Sequence, residues 1–240
     1  ALKRVDDMEF YPDECVKTNI EGSENVAKSS LLNNVKKCIL VSTDKACQPI
    51  NVYGSSKFIA ERIFTNYDYQ SDNTIFASVR YGNVIASRGS FIPLWLSLLA
   101  DGQKIKVTST DMSRFLFTLE DAVDTVLGAV DNFEGGEVFI PGIKSYDMNT
   151  VLKAVEKIHG ESFEYDIIGL RPGEKMHEQL ISRKEKILKI NRNIFAIKEF
   201  SYQDKIIINK LNEINKLKIN GSYLKIYNSI KKILKKEFIS

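Results

Sequence analysis

The stretch "KKCILVSTDKACQPINVYGSSKFIAERIF" (residues 36–64) constrains this chain more than any other. An apolar run too short for a helix ends in Ser42 and Thr43, a polar turn follows, and apolar residues then recur at helical spacing. A strand feeding a helix across a short turn is half of a βαβ unit, so the chain reads as α/β with parallel pairing. The pattern continues downstream. "TIFASVRY" (74–81), "KIKVT", "RFLFT" and "EVFI" read as strands, and residues 91–100, 118 onward and 148–158 read as helices. Upstream, Val16, Ile20, Val26, Leu31 and Leu32 recur at near-helical intervals between residues 11 and 34. Thr118, with Asp121 three residues on, reads as a helix N-cap.

The same stretch carries chemistry. Asp44 and Lys45 stand at the carboxyl end of the expected buried strand, where open α/β sheets bind ligands. Tyr53 and Lys57 lie four apart on the following helix and share a face. Such a pair arises by chance on many surface helices, so its weight comes from the strand end before it. A second strand ends in similar fashion at "RYGNV".

Composition narrows the class. No apolar run in the 240 residues approaches the roughly 18 needed to span a membrane, and "ALKRVDDMEF" lacks a secretory apolar stretch. Cys15, Cys38 and Cys47 have neither metal-ligand spacing nor an even count, which fits reduced thiols and a cytoplasmic setting. His159 and His177 show no metal spacing either, and Trp95 reads as core. The net charge of +3 is uneven: fourteen Lys/Arg against five Asp/Glu from Lys184 onward give +9, leaving −6 for residues 1–183. Because Ile206, Ile207, Leu211, Ile214 and Leu217 recur at helical spacing through those lysines, the tail reads as partly helical with a solvated face. It does not read as a nucleic-acid or membrane surface.

Beyond this, "STDKACQPINVYGSSK" resembles the active-site segment of the nucleotide-sugar 4,6-dehydratases that act on UDP-N-acetylglucosamine, within the extended short-chain dehydrogenase/reductase family. "RYGNVIASRGSFIP", "DMSRFLFTLEDAV" and "IIGLRPGEKMHE" resemble that group's later motifs, in order, so the resemblance runs from Ala1 to about Ile181. Tyr53 occupies a position where relatives of the inverting type have tyrosine and several others have methionine. The resemblance implies a cytoplasmic, NADP- or NAD-dependent lyase taking a UDP-sugar, with Tyr53 favouring inversion at carbon 5; the alternatives are a retaining dehydratase or 4-epimerase, or an inactive remnant that keeps sugar-nucleotide binding or oligomer contacts. Catalytic roles fall on Asp44 as acid, Lys45 as base and Tyr53 at the sugar's carbon 4 hydroxyl. It also implies cofactor contacts from Lys3, Tyr53, Lys57 and Val84, with Lys57 supplying the ammonium that favours the Tyr53 phenolate. Substrate contacts fall on Lys3, Thr43, Asn83, Arg88, Arg114, Arg171 and Glu174. Homo-oligomerisation through helices 11–34 and 53–67 is implied in the same way.

A Rossmann-type sheet opens with a strand, a G-x-G-x-x-G turn and a helix. No such sequence occurs here. The expectation is therefore the carboxyl-terminal part of a Rossmann-type parallel sheet (residues 1–90), a smaller α/β substrate domain (91–183) and a basic tail (184–240). The first βαβ units are expected to be absent from these residues, and to be supplied, if at all, by a separately encoded amino-terminal portion or by a longer chain. Open strand edges would leave the isolated chain unstable and a poor binder of dinucleotide.

Overall fold

The computed structural model describes residues 1–87, 89–183, 185–189 and 194–199. Helices α1 (Val5–Phe10) and α2 (Pro12–Cys15) lead through a π-helical turn at Val16–Glu21 into α3 (Gly22–Leu32). Strand β1 (Lys37–Val41), a 3-10 turn (Asp44–Ala46), α4 (Val52–Tyr69) and β2 (Ile75–Val79) then form the expected unit, with β1 and β2 parallel. The chain continues through β3 (Asn83–Val84), α5 (Phe91–Ala100), β4 (Ile105–Val107), β5 (Ser113–Phe117) and α6 (Leu119–Asn132). It closes with β6 (Val138–Pro141), β7 (Ser145–Asp147), α7 (Met148–His159), β8 (Tyr165–Ile167), β9 (Glu185–Lys189) and β10 (Ile194–Glu199).

Five strands make the main sheet in the order β1-β2-β6-β10-β9, parallel through β1, β2 and β6, with β10 antiparallel to both β6 and β9. Strand periodicity covers both faces. Phe76 packs with Ala27, Leu40, Ala60 and Phe64 under α3 and α4, while its neighbour Ala77 packs with Ala129, Phe133 and Phe139 under α6. A second core joins Ile92, Trp95 and Leu99 of α5 to Ile105, Val107, Leu116, Val151 and Val155. Among the described residues no helix is long and apolar enough to cross a membrane.

Local chemistry sets the helix starts. Asn51 caps α4 by accepting from Gly54 N at 2.6 Å, and Asp147 caps α7 by accepting from Thr150 N at 2.7 Å. Thr118 and Asp121 form the full reciprocal box on α6, with bonds of 3.1 and 3.2 Å. Gly160 ends α7 at φ 99°, a left-handed conformation that glycine adopts without a Cβ penalty.

Strand β1 lies at the edge of the sheet, in line with the expected open strand edges: only Leu40 is buried, Lys37 and Val41 are exposed, and β2 is its sole partner among the described residues. Two sequence expectations are corrected. Val16, Val26 and Leu32 face outward, because Cys15, Asn19, Ala27 and Ser30 form the side that packs inward. Residues 185–189 and 194–199, read as tail, are two strands of the main sheet, where Ile194, Ala196 and Ile197 are buried. The apolar stripe from Ile206 to Leu217 lies outside the described residues.

A buried ion cluster ties these pieces together. Arg80, 0% exposed just after β2, donates to Glu61 of α4 at 3.1 and 2.6 Å and to Glu185 of β9 at 3.2 and 2.9 Å. Its Nη1 also donates to Leu180 O at 2.8 Å, and Glu61 accepts from Ser42 Oγ at 2.5 Å. Removing the cation would leave two buried carboxylates uncompensated, a loss of about 3–5 kcal/mol. Arg80→Met is expected to lower the urea midpoint accordingly, and an unchanged midpoint would show that the cluster does not hold the sheet to α4. Close approach is equally demanding at Gly54, where an added Cβ would stand 2.3 Å from Lys45 O. Gly54→Ala is expected to cost about 1–3 kcal/mol in the same assay.

Candidate active site

The site lies where β1 and β2 end. Pairing continues past both strands, with Ser42 N donating to Val79 O at 2.7 Å and Asp44 N to Tyr81 O at 2.9 Å. This extension places the 3-10 turn over the sheet's carboxyl edge. Thr43 caps the turn, accepting from Lys45 N at 3.4 Å, and its hydroxyl donates to Asp44 Oδ1 at 3.0 Å. Lys45 Nζ donates to the same Oδ1 at 3.1 Å. Asp44 is 0% exposed, and its Oδ2 has no hydrogen-bond partner.

Lys45 faces a second carboxylate, with Glu178 Oε1 at 3.4 Å. Burial pulls the Lys45 pKa down, but Asp44 and Glu178 outweigh both that and the repulsion of Arg114, so the ammonium is held above its ordinary range. Burial likewise raises the Tyr53 phenol, against the Lys45 ammonium and a hydrogen bond with Thr43, which lower it, while Asp44 and Tyr81 add to the rise. Tyr53 is therefore a phenol in this arrangement.

Lys57 departs from its expected role. Its buried Nζ donates to Val41 O at 2.6 Å, and burial lowers its pKa against the pull of Glu61. The ammonium acting on Tyr53 is that of Lys45, because the turn brings Lys45 over the first turn of α4 while Lys57 reaches back to the strand.

The segment 171–178 closes one side. Gly173 O accepts from Asn51 Nδ2 at 2.7 Å, and Lys175 Nζ donates to Cys47 O at 2.7 Å. Gly173, at φ 78°, would clash as any other residue, since a Cβ there would meet Asn51 Cβ at 2.8 Å. Arg114, expected at a phosphate, is buried and clamps this segment: its Nη1 donates to Ser113 O, Lys175 O and Met176 O at 2.8, 2.9 and 3.3 Å. Glu174 accepts from Thr108 Oγ1 and Arg171 N, each at 3.2 Å, and Arg171 is half-exposed with Asp6 at 3.8 Å. His177 has an ordinary role, its Nδ1 lying 2.8 Å from Ser113 Oγ.

Asn83 and Val84 form β3, and Asn83 Oδ1 is buried with no hydrogen-bond partner. Lys3 is exposed at the other end of the chain's first loop, whose backbone at Leu2 is held by Asn19. Arg88 lies outside the described residues. The structure thus brings together Thr43, Asp44, Lys45 and Tyr53. Sequence reasoning missed Glu178 and the clamp built by Asn51 and Lys175. All three stand inside the quoted motifs, but more than 120 residues separate Asn51 from its partner at Gly173, and only the fold supplies that contact.

Comparison with known proteins agrees with this geometry. A family model described as "Polysaccharide biosynthesis protein" matches residues 1–199. The chain is 42% identical over 201 residues to a UDP-N-acetylglucosamine 4,6-dehydratase (inverting) of Campylobacter jejuni serotype O:23/36 (strain 81-176), covering 82% of this chain and 59% of that protein. It is 41% identical over 187 residues to a UDP-glucose 4-epimerase of Rickettsia rickettsii (strain Sheila Smith), covering 77% of this chain and 55% of that one. Among solved structures, Pen from Bacillus thuringiensis superposes with a TM-score of 0.79 at 39% identity, over 83% of this chain and 64% of that chain. The chain therefore spans just over half the length of the curated relatives it matches. With the family model covering well over half of its residues, the chain belongs to the polysaccharide biosynthesis protein family.

Proposed function

We propose that this chain carries the catalytic portion of an inverting UDP-N-acetylglucosamine 4,6-dehydratase. The observation that carries the reading is the contact between Lys45 Nζ and Asp44 Oδ1 at 3.1 Å, beside Tyr53 at the sheet's carboxyl edge. Moving one proton along that contact turns an ammonium and a carboxylate into an amine and a carboxylic acid. An elimination needs that base and that acid, and the exchange leaves the net charge of the site unchanged.

Tyr53 takes the proton of the carbon 4 hydroxyl, which requires its raised phenol to be brought down by Lys45 and by a cationic ring beside it. NADP or NAD, when bound, supplies the hydride acceptor for carbon 4 and the hydride returned to carbon 6. The carbon 4 ketone acidifies the proton on carbon 5, which Lys45 removes. Asp44 gives a proton to the hydroxyl leaving carbon 6. A solvent-derived proton delivered to the opposite face of carbon 5 inverts that centre, while the proton on Lys45 returns to Asp44 and the proton on Tyr53 passes to solvent.

The residues present fit the nicotinamide end of such a cofactor: Tyr53 and Lys57 lie one helical turn apart, Val84 is half-buried, and the buried Asn83 Oδ1 lacks a partner. Thr43 holds Asp44 and Tyr53 in register at the sugar. Asn83, Arg88, Arg171, Glu174 and Lys3 are assigned to the nucleotide-sugar, whereas the carbonyl bonds of Arg114 suit a clamp better than a phosphate contact. Exposed Val16, Val26 and Ile59 on the adjoining helices α3 and α4 and the π-helical turn support a homo-oligomer. The likeness to a protein named as a 4-epimerase favours a second reading, in which Tyr53 acts at carbon 4 and the Asp44–Lys45 pair is idle.

The test is product formation from UDP-N-acetylglucosamine and NADP in heavy water, with the chain alone and with the amino-terminal portion of the Campylobacter relative joined to it. A 4-keto-6-deoxy product deuterated and inverted at carbon 5 is expected from the joined protein. A carbon 4 epimer without deuterium would replace the dehydratase reading with the epimerase one. Lys45→Ala is expected to slow product formation by about 10²–10⁴-fold, the usual worth of a positioned acid or base. Tyr53→Phe is expected to abolish release of deuteride from carbon 4-labelled sugar, which single-turnover absorbance at the reduced-nicotinamide band reads directly.

A further inference from the structure

Glu178 is a buried carboxylate on the segment 171–178, far in sequence from the catalytic turn. One of its oxygens, Oε1, lies 3.4 Å from Lys45 Nζ. The other, Oε2, is buried with no hydrogen-bond partner, and the nearest ammonium, that of Lys175, stands 3.9 Å away. The Glu178 side chain is 3% exposed and that of Lys45 16%, so little solvent screens the pair.

An unsatisfied buried carboxylate oxygen costs free energy, and a simple structural role would satisfy it. Lys175 is drawn off Glu178 by its 2.7 Å bond to Cys47 O. Arg114 is likewise occupied, donating to three carbonyls. Among the described residues, the cation nearest to Glu178 is Lys45 at 3.4 Å, the one that the proposed reaction uses, with Lys175 next at 3.9 Å.

We propose that Glu178 is a positioning residue that sets both the place and the proton affinity of Lys45. This rests on reading Lys45 as the group that takes the carbon 5 proton. Before substrate binds, Lys45 is shared between Asp44 at 3.1 Å and Glu178 at 3.4 Å, with the Tyr53 phenol and the Arg114 guanidinium as the other charged or titratable groups facing it. When Asp44 is the protonated acid, Glu178 is the carboxylate that remains to stabilise the ammonium formed by proton uptake. Two carboxylates around one lysine thus separate two duties: Asp44 exchanges a proton, and Glu178 holds the lysine from its other side.

The experiment is a titration of Lys45 in the 240-residue chain, with lysines carrying 13C-methyl labels and the Lys45 signal identified by its loss in Lys45→Arg. Glu178→Gln keeps the shape and removes the charge. The Lys45 midpoint is expected to fall by about one pH unit or more, as for an opposite charge removed at this range. Glu174→Gln, three residues earlier on the same segment, is expected to leave it in place. If Glu178→Gln does not fold, Glu178→Asp retracts the charge by one carbon and is expected to give a smaller fall. An unmoved midpoint in the folded variant, or an equal fall with Glu174→Gln, overturns the assignment.

Turnover is read separately, in the protein joined to the Campylobacter amino-terminal portion. There Glu178→Gln is expected to move the rising limb of the pH–rate profile to lower pH in step with the Lys45 midpoint. A shifted midpoint in a protein that makes no product sustains the Glu178–Lys45 assignment and removes the dehydratase reading. A fixed midpoint with turnover does the reverse.

Discussion

The two ion pairs of Arg80 organise the molecule. Its guanidinium sits at the end of β2 and holds α4 through Glu61 and β9 through Glu185, so the helix bearing Tyr53 and Lys57 and the antiparallel end of the sheet share one anchor. Ser42, two residues before the Asp44–Ala46 turn, joins the same anchor through Glu61. A buried charge is tolerated only when its donors and acceptors are met, and Arg80 meets that condition from three elements at once. The geometry at the sheet's edge follows, because β1, α4 and β9 cannot shift separately without exposing a carboxylate.

On that frame, the Asp44–Ala46 turn is positioned by backbone contacts as much as by side chains. Gly54 lets α4 approach Lys45 O to a distance that no Cβ permits, and Gly173 lets the 171–178 segment approach Asn51 in the same manner. Asn51 serves both, capping α4 through Gly54 N and holding Gly173 O. Arg114 and Lys175 complete the closure by donating to carbonyls on the segment and the turn. Glu178 reaches Lys45 because of this closure, so loop packing and the charge of the site are one problem.

Much of this was legible in the residues. The strand-turn-helix pattern of 36–64, the cap at Thr118 and the helix at 148–158 rest on local periodicity and local hydrogen bonds, which the chain writes out in order. The grouping of Thr43, Asp44, Lys45 and Tyr53 was legible for the same reason, since ten residues and one turn connect them. The readings that changed concern partners distant in sequence. Lys57 bonds a strand carbonyl, Arg114 clamps a loop, and residues 185–189 and 194–199 join the sheet although they read as tail.

By itself, then, the sequence determined the α/β class, the strand-turn-helix unit of 36–64 and the residue types at the strand's end, because periodicity and turn chemistry act over a few residues. Tertiary structure alone decided which ammonium faces Tyr53, that Arg114 clamps the 171–178 segment, and that Glu178 stands beside Lys45. Charge interactions in a low-dielectric interior depend on distances of 3 to 4 Å between groups up to about 130 residues apart. Spacing along a chain does not encode such distances, and packing does.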